Sequence, residues 1–242
     1  MKGTVVKASQ QKGRYVEATI DFAEGAVIFI EDAFIHANWT DFKCIECDAP
    51  HKSKTCPVVS RKYPPLVLKN LNRIEKELIE LDAVEEIDRA RAFMKCMVRI
   101  MTSPTKNLSS LGDLMDLQGV NLQKCLESVK RMQLSRILLN ILPPSVSIED
   151  VARVLAILNT NSHQISIGGS GIFLYASRME HSCQANCTFA TGAGTKLWVT
   201  ALRNIKAGES LSIDYANNFY RPTAFRLSEL QRSHEFRCQC PR

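Results

Sequence analysis

Nine cysteines carry most of the evident chemistry in this 242-residue chain, and seven of them fall in clusters. Cys44-Ile45-Glu46-Cys47 is a C-x-x-C knuckle, a tight turn that aims two thiolates at one tetrahedral ion, with His51 and Cys56 downstream. Glu180-His181-Ser182-Cys183-Gln184-Ala185-Asn186-Cys187 packs two more cysteines and a histidine into one short stretch. Cys238-Gln239-Cys240 stands near the last residue. No apolar signal core follows Met1, so the chain reads as intracellular, in the nucleus or the cytoplasm, where clustered cysteines point to metal rather than disulfides. For the first cluster, zinc on Cys44, Cys47, His51 and Cys56 is weighed against a metal-free loop. Cys96 and Cys125 stand alone in helical patterns and read as small buried hydrophobes.

A second kind of chemistry is offered by Tyr215. It closes Ala207-Gly208-Glu209-Ser210-Leu211-Ser212-Ile213-Asp214-Tyr215, a turn that runs into a strand. A tyrosine hydroxyl can orient a reacting group and favour developing charge. A tyrosine at a strand end is common, and only its surroundings give it meaning.

The elements that must position these residues are legible in outline. Residues 3–35 read as short strands, with β-branched or apolar runs at Thr4–Val6, Val16–Ile20 and Ala26–Ile30 and turns at Lys12-Gly13 and Glu24-Gly25. Helical periodicity follows Pro64-Pro65 and lasts to about residue 158. Leu71, Ile74, Leu78 and Leu81 share one face, as do Ile87, Met94, Met97 and Met101, and later Cys125, Val129, Ile137 and Ile141. Ser147 and Asp150 form a capping-box pattern. Asn159–Ile165 ends the helix, Gly168-Gly169-Ser170-Gly171 reads as a hairpin turn, and Thr195–Ala201 as a strand. The acidic residues Glu75, Glu77, Glu80, Glu85, Glu86 and Asp88 read as a solvated helix face. At 45% hydrophobic and 23% charged, the composition is that of an ordinary globular protein, with no apolar run long enough to span a membrane. A net charge of +6, spread along the chain, gives no footprint for direct nucleic-acid binding.

Taken together, the His181-Ser182-Cys183 stretch, Tyr215 after Gly208-Glu209, and the closing Cys238-Gln239-Cys240 resemble the C-terminal half of a SET-domain protein lysine methyltransferase. The nearest likeness is the SET-and-MYND branch, with a MYND zinc module shortened to Cys44–Cys56. Gly13-Arg14-Tyr15-Val16-Glu17-Ala18 resembles the family's first motif. The resemblance implies an α+β fold: a β-rich SET core with a pseudoknot, a helical insertion and a cysteine-rich post-SET segment. It divides the chain into 1–43 and 159–220 as the two parts of the core, 44–63 as the cysteine-rich insert, 64–158 as the helical insertion and 221–242 as the post-SET segment.

The resemblance also implies the roles. The activity is methylation of a lysine on a histone or another protein, with S-adenosylmethionine as donor; chromatin association is possible and no membrane is involved. Tyr215 matches the catalytic tyrosine. Gly13, Arg14, Tyr15, Asn161, Glu180, His181 and Phe236 match cofactor-binding positions. In the family, the cysteine matching Cys183 joins the C-x-C pair matching Cys238 and Cys240 in a four-cysteine zinc site. The fourth ligand is then expected beyond Arg242, with water or Cys187 as substitutes. Three residues depart from the pattern: Glu180 stands where the family has asparagine and Tyr15 where it has glycine, both at cofactor positions, and Ala185 stands where it has proline. A carboxylate offers only acceptors where an amide offers both kinds of partner. These departures keep a second expectation open, a SET-like scaffold that has lost its cofactor.

Overall fold

The computed structural model describes residues 1–38, 44–47, 56–80, 87–131, 143–165, 169–191 and 195–240. It divides into two compact units: Met1–Ala33 together with Phe173–Arg242, and Phe34–Ile172.

The first unit is mostly strand. β1 (Thr4–Ser9) and β2 (Gly13–Ala18) form an antiparallel hairpin, from Thr4 opposite Ala18 to Ser9 opposite Gly13. Gly13 closes the turn at φ +64°, an angle that glycine tolerates and side-chain-bearing residues avoid. Val16 and Ala18 are fully buried, while the alternate positions Tyr15 and Glu17 are half-buried, as a period of two demands. β3 (Val27–Asp32), β8 (Cys187–Thr191) and β9 (Lys196–Ala201) make an antiparallel sheet with β9 in the middle. Leu197, Val199 and Ala201 of β9 point into the core.

A third pairing is short and parallel. β7 (Glu180–His181) lies beside β10 (Ser212–Ile213), with Ser212 opposite Glu180 and Ile213 opposite His181. Asn186, 4% exposed, ties the two segments together. Its Nδ2 donates to Ser210 O at 2.8 Å, and its Oδ1 accepts from Ser212 N at 2.8 Å and from Ser212 Oγ at 3.1 Å. The resemblance places its knot in this stretch. The strand expected to end on Tyr215 stops earlier, at Ile213. Asp214 ends it: Oδ1 accepts from Ala216 N and Oδ2 from Asn218 N, which bends the backbone and leaves Tyr215 in a turn. A helix, Thr223–His234, was not expected in the post-SET segment. Pro222 just before it and the buried pair Arg226 and Leu230, four apart, are its signals.

The second unit is helical with one small sheet. β4 (Ile35–Asn38) and β5 (Ser162–Ile165) flank β6 (Gly169–Ile172), both antiparallel. Gly169, Ser170 and Gly171 are therefore part of a buried central strand and not a turn, and Gly168 lies outside the described residues. Their small side chains let the neighbouring strands pack closely. The helices are α1 (Pro57–Lys62), α2 (Pro65–Glu80), α3 (Ile87–Thr102), α4 (Leu122–Arg131) and α5 (Ile148–Asn161). Leu71, Ile87, Met94, Met97, Cys125 and Val129 are buried as the periodicity requires; Leu81, Ile137 and Ile141 lie outside the described residues. Ser147 and Asp150 form the full capping box of α5. That helix runs through Asn159 to Asn161, further than the sequence suggested. Glu75 also departs from the expected solvated face: it accepts from the buried Arg91 guanidinium at 2.6 Å. Helices and strands occur in separate stretches, the α+β arrangement expected.

Candidate active site and thiol clusters

In the first unit, the turn after β10 brings Tyr215 onto β7. Its hydroxyl donates to the Met179 carbonyl at 2.5 Å, and its backbone N–H donates to His181 Nδ1 at 3.2 Å. Burial, helped by the Glu180 carboxylate, pushes the Tyr215 phenol up to about 12. It is therefore a neutral hydrogen-bonding group at neutral pH. Three more rings surround it. His234 is 4.8 Å away between centroids, His181 5.3 Å and Phe236 6.4 Å. Burial holds both histidines below their ordinary value, with Asp214 opposing the effect at His181. His234 and Phe236 come from the end of the C-terminal helix and the residues after it. Glu235 at φ +56° caps that helix and turns the chain back toward Tyr215.

Glu180, beside this cluster, is not a free charge. Lys12 Nζ donates to Glu180 Oε2 at 2.9 Å and to Ser210 Oγ at 2.8 Å, and it lies 4.9 Å from the Tyr15 ring centroid. The β1–β2 turn thus meets the β7 end through Lys12, a residue the sequence reading did not single out. The sequence shows it only as a cation next to the turn glycine, and nothing local links it to Glu180. Tyr15 faces Lys12, and Arg14 is exposed on the same strand. Among the described residues, nothing lies within 4 Å of where a side chain on Gly13 would begin. The open glycine turn and the aromatic cluster are groups that would suit a flat-ringed donor such as S-adenosylmethionine, while the carboxylate beside them is already paired with Lys12.

A thiol cluster adjoins the rings. Cys183 Sγ lies 4.0 Å from Cys238 Sγ and 3.3 Å from His181 Nε2. Two thiolates on one tetrahedral zinc, each about 2.3 Å from it, stand about 3.8 Å apart. Cys183 and Cys238 fit that spacing. Cys240 Sγ is 3.1 Å from Cys238 Sγ but outside the tight group formed by His181, Cys183 and Cys238. Cys187 stands outside that tight group: it opens β8 with its thiol on Asn186 Oδ1 at 3.4 Å, and burial pushes it up to about 12. Burial pushes Cys238 up to about 12 as well, so a metal bound there must displace its proton.

The second unit carries its own thiols. Cys44 and Cys56 are buried and Cys47 exposed, with all three sulfurs mutually within 4.8 Å. Cys47 and Cys56 are 3.9 Å apart at sulfur. The Cys44 thiol accepts from the backbone of Glu46 and Cys47, although burial outweighs this and raises it. Those are the amide donors that a knuckle turns toward its first sulfur. The Glu46 side chain bonds Lys62 Nζ at 2.8 Å and the Tyr63 hydroxyl, tying the knuckle to α1. His51 lies outside the described residues. Asn161, also in this unit, is engaged locally: its Nδ2 donates to Gln118 O at 2.7 Å and to Ile157 O at 2.8 Å.

Comparison with known proteins bears on this geometry. The model of the SET domain family matches residues 13–216.

The chain belongs to the SET-domain family.

Mouse "Histone-lysine N-methyltransferase SMYD3" is 32% identical over 106 residues, 42% of this chain and 24% of its own length. Fission yeast (Schizosaccharomyces pombe) "Histone-lysine N-methyltransferase set9" is 34% identical over 59 residues, 24% of this chain and 13% of its own. Arabidopsis thaliana "Protein SET DOMAIN GROUP 41" is 28% identical over 83 residues, 34% of this chain and 15% of its own. These matches each span a quarter or less of the relative. Among solved structures, the SET domain of LSMT bound to lysine and AdoHcy aligns with a TM-score of 0.50 at 17% identity, over 98% of this chain and 53% of that one. That alignment shows the shared SET fold. Among the described residues, no helix is long and apolar enough to cross a membrane.

Proposed function

We propose that this chain is a protein lysine methyltransferase that takes its methyl group from S-adenosylmethionine. In this reading it lies near the SET-and-MYND branch, with the MYND module reduced to the Cys44–Cys56 knuckle. The observation that carries the reading is Tyr215: a neutral, half-buried phenol anchored on the Met179 carbonyl and ringed by His181, His234 and Phe236.

Methyl transfer moves a methyl from a sulfonium to an amine in line. The nitrogen lone pair forms the new bond as the carbon–sulfur bond breaks, leaving a neutral thioether. A free lysine has pKa about 10.4, so the amine must first shed a proton to water. A dry aromatic slot favours the neutral amine by desolvation. Tyr215 and the Met179 carbonyl can fix its direction, and orientation alone is worth several kcal/mol of barrier. In the proposed complex, Glu180 faces the positive end of the donor, and the thiol cluster holds Phe236 against the slot. The substrate is a lysine on a histone or another protein.

Lys12 favours a second reading. Its ammonium already occupies Glu180, as expected of a SET-like scaffold that no longer binds the donor. Incubation with labelled donor and a lysine-peptide array separates the two. Labelled peptides lost in the Tyr215→Phe variant support the enzyme; an unchanged Tyr215→Phe rate and methylation state would remove Tyr215 from the proposal.

A further inference from the structure

The thiol cluster and Tyr215 share one side chain. His181 stands between them, its side chain only 3% exposed, with Tyr215 at 5.3 Å and Phe236 at 5.6 Å between ring centroids. Composition makes His181 the obvious fourth ligand for a zinc on Cys183, Cys238 and Cys240. Its Nε2 is close enough to Cys183 Sγ for that, at 3.3 Å.

The hydrogen bonds argue otherwise. The Tyr215 backbone N–H lies 3.2 Å from Nδ1, and an amide N–H can only donate. Nδ1 must therefore present its lone pair. A neutral imidazole has one N–H, so that proton sits on Nε2. Nε2 then has no lone pair for a metal; it has a hydrogen to give, and Cys183 Sγ is the atom it meets. The Asp214 carboxylate would favour a proton on Nδ1, but its Oδ1 is 3.9 Å away, beyond hydrogen-bond reach, and is taken by Ala216 N. A histidine that ligates metal through Nε2 needs the reverse arrangement, with Nδ1–H donating to an oxygen.

We propose that His181 is a positioning residue, a relay whose Nε2–H holds the Cys183 sulfur while its Nδ1 holds the backbone of Tyr215, so that metal loading and placement of the tyrosine are coupled. This rests on the methyltransferase reading for what Tyr215 does, but not for the relay itself. Hydrogen bonding to a thiolate draws charge from the sulfur and fixes its direction. A metal on Cys183 fixes the sulfur that the imidazole holds, and through the imidazole it steadies the rings packed on it and the acceptor of the Tyr215 backbone. The fourth metal donor must come from elsewhere.

The test is nuclear magnetic resonance of the whole chain, carrying isotope-labelled histidine and loaded with an NMR-active cadmium isotope. The relay predicts an His181 ring protonated at Nε2 only, with no one-bond coupling between cadmium and its nitrogens. A direct cadmium–nitrogen coupling, or a proton on Nδ1, overturns it. A chain that takes up no cadmium overturns the coupling to metal and leaves the methyl-transfer reading untouched. Two variants part the bonds. His181→Asn keeps an acceptor near the Nδ1 position; it should preserve slow amide exchange at Tyr215 and shift the thiolate-to-metal absorption of the cobalt-loaded protein. His181→Gln keeps a donor near Nε2 and should do the reverse. Equal behaviour of the two variants contradicts the relay.

Discussion

Lys12 and Glu180, 168 residues apart in sequence, form an ion pair at 2.9 Å where the β1–β2 turn meets β7. The pair neutralises the residue that departs most from the family pattern. Its side chains are 43% and 24% exposed, and ion pairs in such settings contribute about 1 kcal/mol or less. That is too weak to shut a binding site: a ligand displacing it loses less than about tenfold in affinity. Lys12→Ala and Glu180→Gln should therefore each change donor affinity, measured by calorimetry, by less than about tenfold. A hundredfold gain in Glu180→Asn would mean that the pair does close the site and would favour the scaffold.

Asn186 holds the crossing of β7 and β10. Truncation to alanine leaves the Ser210 carbonyl and the Ser212 N–H unpaired in a half-buried place. Each such orphan costs about 1–3 kcal/mol. Asn186→Ala should lose about 2–4 kcal/mol in urea unfolding by this reckoning. Asn186→Asp, which keeps the acceptor only, should lose a similar amount. A loss under about 0.5 kcal/mol, the range of ordinary surface substitutions, would show that the crossing is held elsewhere.

Tyr215 gives an alkaline signature. Its phenol is raised from 10.0 to about 12, so the folded protein resists ionisation that the unfolded chain undergoes. The stability this contributes is fully present below pH 10 and is lost as pH rises toward 12. The difference corresponds to about 3 kcal/mol. Unfolding measured from pH 8 to 12 should fall more steeply in the native protein than in Tyr215→Phe. Parallel curves would mean that the phenol is not buried.

The two thiol clusters should be countable separately. Metal analysis is expected to find two zinc ions per chain. Cys56→Ser should remove one, and Cys183→Ser or Cys238→Ser the other. Cys240→Ser should weaken the second site less, because its sulfur stands outside the tight group. One ion that is lost equally from every variant would contradict two independent sites.

Much of the site was legible because its motifs are short and local. His181, Cys183 and the sulfurs near residue 240 sit on fixed spacings, and Tyr215 follows a turn glycine. The paired strands of the core announced themselves as β-branched or apolar runs between glycine turns. Other features depend on contacts between distant segments. Lys12 became part of the site only when the turn met Glu180, and no local pattern carries that. The strand before Tyr215 looked longer because its apolar alternation outweighed the turn-forming side chain of Asp214. The helix at 223–234 was hidden by a weakly amphipathic sequence whose buried face includes an arginine, Arg226. Gly169–Gly171 has a turn's composition but fills a central strand, because flanking strands, and not its own side chains, bury it.

The most direct test of the central claim is equilibrium binding of S-adenosylmethionine to the zinc-loaded chain by native mass spectrometry, since it needs no knowledge of the protein substrate. The enzyme reading predicts one donor molecule per chain, displaced by S-adenosylhomocysteine. No binding at millimolar donor, with zinc in place, would contradict it and leave the SET-like scaffold.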